Sequence, residues 1–230
     1  MAKCIVIRQL RIGRLEQLAG TEMLTGIHKR EIDSAYLNAS GLSDDQQGDK
    51  RHHGGAEKAL HHFASDHYAR LRRKLPVPAS EHCQPGAFGE NLVTDGLTEF
   101  DVCAGDIFEL GEAIIQVSQP RQPCWRLNLR FGIPDMSRRL QNSLRTGWYY
   151  RVLQPGMISN GDTLILKERP HEDWTLSRVL SVLYENTMDQ YALTNMAEMK
   201  ELSPNLRQLV KQRLETQQVE GWERRLFGCR

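Results

Sequence analysis

Glycine and proline divide this chain unevenly, and that division constrains the fold more than any other feature. They recur throughout the first 170 residues, whereas Pro204 is the only one of either between 171 and 220. A chain broken this often cannot sustain long helices, and an unbroken one readily can. In the punctuated part, Gly105-Asp106 precedes Ile107-Phe108-Glu109-Leu110, and Gly161-Asp162 precedes Thr163-Leu164-Ile165-Leu166. Each pair is a turn signal feeding a strand. Residues 113–118 and 148–153 read as further strands. Short strands at modest intervals predict a mainly β fold, a barrel or sandwich, and argue against a doubly wound α/β sheet.

Two helices are expected inside this region. Leu60, Phe63, Ala64, Tyr68, Leu71 and Leu75 recur at helical spacing and predict a helix over 57–75, ended by Pro76 and Pro78. A shorter one is predicted over 135–144 with Asp135 as N-cap. Beyond Arg169-Pro170, Thr175, Asp189 and Ser203 each read as a helix N-cap, with Pro204 at a first helical position. The expectation is three helices over 176–186, 190–202 and 204–217, following a linker near 168–173. Domains are therefore expected at 1–169 and 170–230.

Composition excludes several function classes. A net charge of +1 over 230 residues supplies no global field for nucleic acid or anionic membrane. No apolar run approaches a bilayer span, and Lys3 comes too early for a secretory leader, so a cytoplasmic location is expected. Five scattered cysteines without a Cys-x-x-Cys pair exclude a zinc knuckle or an iron–sulfur run and fit reduced thiols. Neither a Walker A loop, nor a G-x-G-x-x-G fingerprint, nor a G-x-S-x-G elbow is present, and His61 and His62 lack the spacing of a two-histidine zinc site.

Three clusters can carry chemistry. The first is Gln119-Pro120-Arg121-Gln122-Pro123-Cys124-Trp125-Arg126, a thiol braced by two prolines and bracketed by two arginines. Nearby cationic charge favours thiolate, and guanidinium forks suit phosphate. By its residues alone it reads equally as a half-buried cysteine between surface arginines. The second is Asp49-Lys50-Arg51-His52-His53-Gly54-Gly55, followed by Lys58. Its glycines allow close backbone approach, and its histidines can donate to a phosphate or oxo group, or simply be solvated. The third is Gly86-Ala87-Phe88-Gly89-Glu90-Asn91-Leu92. There Asn91 can bind a heterocycle, Glu90 is expected as a solvated carboxylate, and Phe88 as core.

Together the ordered set His53-Gly54-Gly55, Lys58-Ala59-Leu60, Phe88-Gly89-Glu90-Asn91-Leu92, Gly105-Asp106-Ile107-Phe108, Gln119-Pro120-Arg121 and Pro123-Cys124 resembles the MOSC domain proteins, in particular the small YiiM-type members. The resemblance covers about residues 20–168, and the helical tail looks like the three-helix extension of the YiiM type. It implies a MOSC-type β-barrel that binds molybdenum cofactor, a phosphorylated pyranopterin (molybdopterin). Cys124 would be the catalytic residue and metal ligand. His53, Gly54, Gly55, Asn91, Arg121 and Arg126 would bind the cofactor. The implied activity is reduction of small N-hydroxylated compounds, of the hydroxylaminopurine base-analogue type, to amines. A separate flavin or iron–sulfur reductase would donate the electrons. Other readings remain open: a non-catalytic carrier holding the cofactor, or sulfur as a Cys124 persulfide, and a cysteine hydrolase with His53 as base. No lysine has a convincing Schiff-base context. The tail serves equally as a docking surface, a homodimer contact or a lid.

Overall fold

The computed structural model describes residues 4–18, 20–48 and 54–228. Its strands are β1 (Cys4–Gly13), β2 (Glu16–Gln17), β3 (Leu24–Thr25), β4 (Lys29–Ile32), β5 (Ser34–Asn38), β6 (Gly41–Leu42), β7 (Leu60–Ala64), β8 (Leu92–Thr94), β9 (Ile107–Leu110), β10 (Ala113–Pro120), β11 (Trp148–Gln154), β12 (Gly156–Ser159) and β13 (Thr163–Glu168). The helices are α1 (Asp66–Arg72), α2 (Ala79–His82), α3 (Arg126–Phe131), α4 (Met136–Asn142), α5 (Leu176–Tyr184), α6 (Gln190–Glu198), α7 (Pro204–Thr216) and α8 (Glu223–Phe227).

The main sheet runs β13-β9-β10-β11-β7-β8-β1-β4, and β1 also pairs with β13. That last pairing closes the strands from β13 to β1 into a barrel and leaves β4 appended. Closure removes the exposed edges that an open sheet would present. Strand β1 achieves it by length: residues 4–6 pair with β13, and its later residues pair with β8 and β4 across a register shift between Ile7 and Gln9. The turns before β9 and β13 work as the sequence suggests. Gly105 has φ 78° and Gly161 has φ 84°. The following aspartates fold back, with Asp106 Oδ2 accepting from the Cys103 amide at 2.8 Å and Asp162 Oδ2 from the Ser159 amide at 2.7 Å.

Three apolar cores divide the molecule. The first fills the barrel, around Leu10, Leu60, Ile115, Trp148 and Tyr150. The second lies between the barrel wall and α1–α4, with Phe63, Tyr68, Phe88 and Phe131 at its centre. The third joins α5, α6 and α7 and takes in Ala104 and Trp174. The mainly β barrel with a three-helix C-terminal bundle is as expected. Thr175, Asp189 and Ser203 cap the three C-terminal helices, each side chain accepting from the backbone amide three residues on.

The helix expected over 57–75 does not form as one element. A short 3-10 turn (Ala56–Lys58) leads into β7, and only residues 66–72 are α-helical. Every residue of β7 is buried. Leu60 and His62 face the barrel core, while Phe63 faces the outer core. A strand buried on both sides loses its polar alternation, so its apolar residues mimic a helical period.

Candidate functional site

The loop between β10 and α3 carries Cys124 and is tied down before the cysteine is reached. The Arg121 amide donates to the Gly147 carbonyl at 2.9 Å, and the Gly147 amide donates to the buried Glu99 carboxylate at 2.8 Å. Gly147 takes φ 75°, and a Cβ there would meet the His62 carbonyl at 2.3 Å, so only glycine fits. Beyond this anchor, Cys124 stands half-buried on the wall between two cavities.

The first cavity is a narrow cleft of about 80 Å³ at the barrel mouth, lined by residues of six separate stretches. Arg121, Cys124 and Arg126 come from the cysteine loop, His61 from β7, Asn91 and Gly89 from the turn before β8, and Lys29 from β4. The second is a chamber of about 1040 Å³ that shares Lys58, Cys124, Arg126 and Tyr149 with the cleft. The C-terminal segment closes its far side through Trp222, Arg224 and Phe227. Trp125 and Leu129 line the chamber too, so the position after the cysteine borders the way in.

Of the residues expected at the site, Asn91, Arg121, Cys124 and Arg126 therefore meet at one cleft. Gly54 and Gly55 are not among its lining residues, although Gly55, with φ 94°, accepts from the amide of the lining residue Lys58 at 2.9 Å. His53, with Asp49, Lys50, Arg51 and His52, lies outside the described residues.

Asn91 also holds the cleft wall. Its Oδ1 accepts from the His61 amide at 3.0 Å, and its Nδ2 donates to the Arg11 carbonyl at 3.0 Å and to Asp45 Oδ2 at 2.9 Å. The side-chain amide is thereby committed to holding the cleft wall together. Asp45 in turn pairs with the buried Lys29 ammonium and accepts from the Gly13 amide at 2.7 Å. Burial lowers the Lys29 pKa, against the opposing pull of Asp45.

Glu90 corrects the expectation of a solvated carboxylate. It is fully buried, accepting from the Tyr68 hydroxyl, from the Gly86 amide at 2.5 Å and from the Phe88 amide at 3.0 Å. The carboxylate folds the Gly86–Gly89 turn around itself, and so sets the cleft floor at Phe88 and Gly89. Phe88 is core, as expected, stacked on Phe63 with centroids 4.4 Å apart.

His61 and Tyr149 are cleft residues that sequence reading missed. The sequence marks His61 only as one of two adjacent histidines without zinc-site spacing, and adjacent residues face opposite sides. That holds, although on a strand rather than a helix. Desolvation, then the charge of Arg121, hold its pKa well below 6.5, so the ring is neutral near pH 7. Burial raises the Tyr149 pKa, partly offset by Arg121, so its phenol keeps its proton. Lys58 Nζ lies 5.8 Å from the Tyr149 ring centroid, and the Arg126 guanidinium 5.0 Å from that of Trp125.

Two buried atoms of the cleft residues, His61 Nε2 and Arg121 Nη1, have no hydrogen-bond partner among the described residues. Buried polar groups are normally paired, so these two atoms leave part of the polar framework behind the cleft unsatisfied. A phosphorylated cofactor with a metal fits this donor set. Arg121, Arg126 and Lys58 supply cationic donors, and Cys124 a soft sulfur.

Comparison with known proteins agrees with the fold. Residues 49–165 match the MOSC domain family, and residues 174–217 the YiiM-like, 3-alpha helix domain family. The chain is 38% identical to Protein YiiM of Escherichia coli over 205 residues, which are 89% of this chain and 91% of that protein. It is 39% identical to a protein of Gibberella moniliformis named "Reductase", over 77% of this chain but only 32% of that longer protein. The crystal structure of YiiM from Escherichia coli superposes with a TM-score of 0.84 at 32% identity, covering 98% of this chain and 100% of that one. This chain therefore belongs to the MOSC domain family, with the YiiM-like three-helix domain following its barrel.

Proposed function

We propose that this protein is a molybdenum-cofactor-dependent oxidoreductase that reduces small N-hydroxylated compounds, including hydroxylaminopurine-type base analogues, to amines. The observation that carries the reading is the meeting of Cys124 with Lys58, Arg121, Arg126 and His61 at one cleft. The MOSC relationship and a similar protein named a reductase support the class.

Cys124 would hold the metal. Arg121, Arg126 and Lys58 would neutralise the phosphate and the charge that builds as an N–O bond breaks. The narrow cleft takes a compact anionic group, and the rest of the cofactor would follow the shared wall into the chamber. When bound, the cofactor supplies the two-electron exchange: R–NHOH with two electrons and two protons gives R–NH₂ and water. His61, kept neutral, and Tyr149, kept protonated, are the chain's own hydrogen-bonding groups beside that chemistry. The chamber's Trp125, Trp222 and Phe227 provide the aromatic faces that a planar substrate stacks on. Because the sequence has no Cys-x-x-Cys pair, the electrons would come from a separate flavin or iron–sulfur reductase.

The deciding measurement is the metal content of protein made in a host that synthesises the cofactor. Wild type should carry molybdenum and Cys124→Ala should carry little. Equal molybdenum in both removes Cys124 as ligand, and none in either sinks the enzyme reading. A stable added sulfur on Cys124, seen by intact-mass analysis, would instead favour a carrier.

A further inference from the structure

The last described stretch, residues 218–228, lies beyond both family matches, yet it reaches back to the cysteine loop. We propose that Arg225, on α8, is a positioning residue for Cys124, and that this strap is part of the functional site. The proposal rests on the reading that Cys124 is the working thiol.

One residue grips both peptide groups that flank the cysteine. Arg225 Nη1 donates to the Pro123 carbonyl at 2.7 Å, and the Arg225 carbonyl accepts from the Trp125 amide at 2.8 Å. Fixing the peptide planes on either side of a residue fixes its φ and ψ, and with them the direction of its Cα–Cβ bond. The prolines do only part of this. Pro120 and Pro123 restrict φ at their own positions and leave the peptide following Cys124 to be oriented by something else. Arg225 supplies it.

The clamp is itself braced at three points. Arg225 Nη2 donates to Gln141 Oε1 on α4 at 2.7 Å. The Leu226 carbonyl accepts from Asn128 Nδ2 and from Ser137 Oγ, both at 2.7 Å, with Leu226 buried. At its other end the strap is held to the three-helix bundle, where Glu220 pairs with the buried Arg213 at 2.7 Å and Trp222 packs edge-on against Tyr184. The strap therefore connects the C-terminal helices to the thiol, and in passing forms the outer wall of the chamber. This gives the tail a role at the site that neither a dimer contact nor a mobile lid would require.

The test is the alkylation rate of individual cysteines in metal-free protein, read by peptide mass spectrometry, for wild type, Arg225→Ala, Arg225→Lys and a chain ending at Gly221. Cys83 and Cys103, both buried, report on global loosening. Losing a charge-assisted bond at a half-buried loop should raise the Cys124 rate about five-fold or more, with Cys83 and Cys103 still protected. Arg225→Lys, keeping the charge but not the fork, should restore part of the protection. The truncation should match or exceed Arg225→Ala. Molybdenum retained per chain should fall in the same order. A Cys124 rate in Arg225→Ala indistinguishable from wild type overturns the proposal, as does a rise that Cys83 and Cys103 share. If wild type binds no molybdenum, the proposed function fails while the thiol rates still decide the clamp.

Discussion

At the residue scale, the side chains that build the cleft are mostly ones whose environment reverses their usual behaviour. Glu90 sits in a run that looks like a surface turn, yet it accepts three hydrogen bonds in a fully buried position. Replacing it with Gln puts an amide N–H₂ against donors. Glu90→Gln should cost about 2–4 kcal/mol, by the usual worth of hydrogen bonds to a charged group, measurable by chemical denaturation. His62 offers a pH-dependent case. Its Nδ1 meets the Tyr150 hydroxyl at 3.0 Å and its Nε2 the Thr94 hydroxyl at 2.8 Å, and burial holds its pKa at about 3. A folded-state pKa below the unfolded one means that the unfolded chain takes up the proton first. The stabilisation is thus complete above pH 6.5 and declines as pH falls from there towards 3. His62→Gln should be less stable than wild type at pH 7 but lose stability more slowly between pH 6 and 4, by about 1 kcal/mol per pH unit. Parallel curves would show that His62 is not the titrating group. Neither residue's role was legible, because burial is a property of the closed barrel and not of the local sequence. Cys124, Arg121 and Arg126 were legible because their chemistry and their proline brackets are local.

At the scale of elements, the helices that the chain announces by local caps form, although Asp135 makes no cap bond at the start of α4 and accepts instead from Arg139 Nε at 2.8 Å. The three C-terminal helices begin where Thr175, Asp189 and Ser203 stand, since a cap is a contact within four residues. Strand β7 was hidden by the opposite circumstance: it is a strand because β11 and β8 pair with its two edges, and those partners are remote in sequence. The caps give a graded prediction. Thr175→Ala and Asp189→Ala should each cost about 1 kcal/mol, the usual worth of a cap. Ser203→Ala should cost more. Ser203 is buried, its hydroxyl donates to Gln119 while capping the Leu206 amide, and its own amide donates to the Ser118 carbonyl of β10 at 2.9 Å. Removing that hydroxyl also leaves Gln119 Oε1 short of a partner at the join between bundle and barrel. Thermal melts of the three variants side by side would rank them, and a Ser203→Ala cost no greater than the others would show that the link to β10 adds nothing.

At the scale of the whole molecule, we propose the division at 169/170 as one of sequence and ancestry, not of independent folding. A bundle of this size buries too little surface to be stable alone. Its core takes Ala104 from the barrel side, and Cys103 bridges to Thr175. The backbone crosses the division repeatedly: the Leu176 amide donates to the Val102 carbonyl and the Ser177 amide to the Glu99 carbonyl, each at 2.8 Å. Glu99 also accepts from Gly147, which anchors the cysteine loop, and its other oxygen pairs with buried His67 at 2.6 Å. The start of the bundle, α1 and the thiol loop therefore meet at one residue, the bundle at the Glu99 backbone carbonyl and the other two at its carboxylate. Arg169 adds a further tie, its guanidinium gripping buried Asp106 at 2.9 and 2.7 Å at the point where the chain leaves β13. Elements coupled through shared buried partners cannot open separately without leaving charge unpaired, which favours a single cooperative transition. Calorimetric unfolding should then give one peak whose van't Hoff and calorimetric enthalpies agree. The Arg169→Ala variant should shift that peak down by several degrees without splitting it, since removing the cation strands the Asp106 carboxylate. Two resolved peaks in the wild-type protein would mean that the bundle and the barrel fold as separate units, and that the strap joins two bodies instead of completing one.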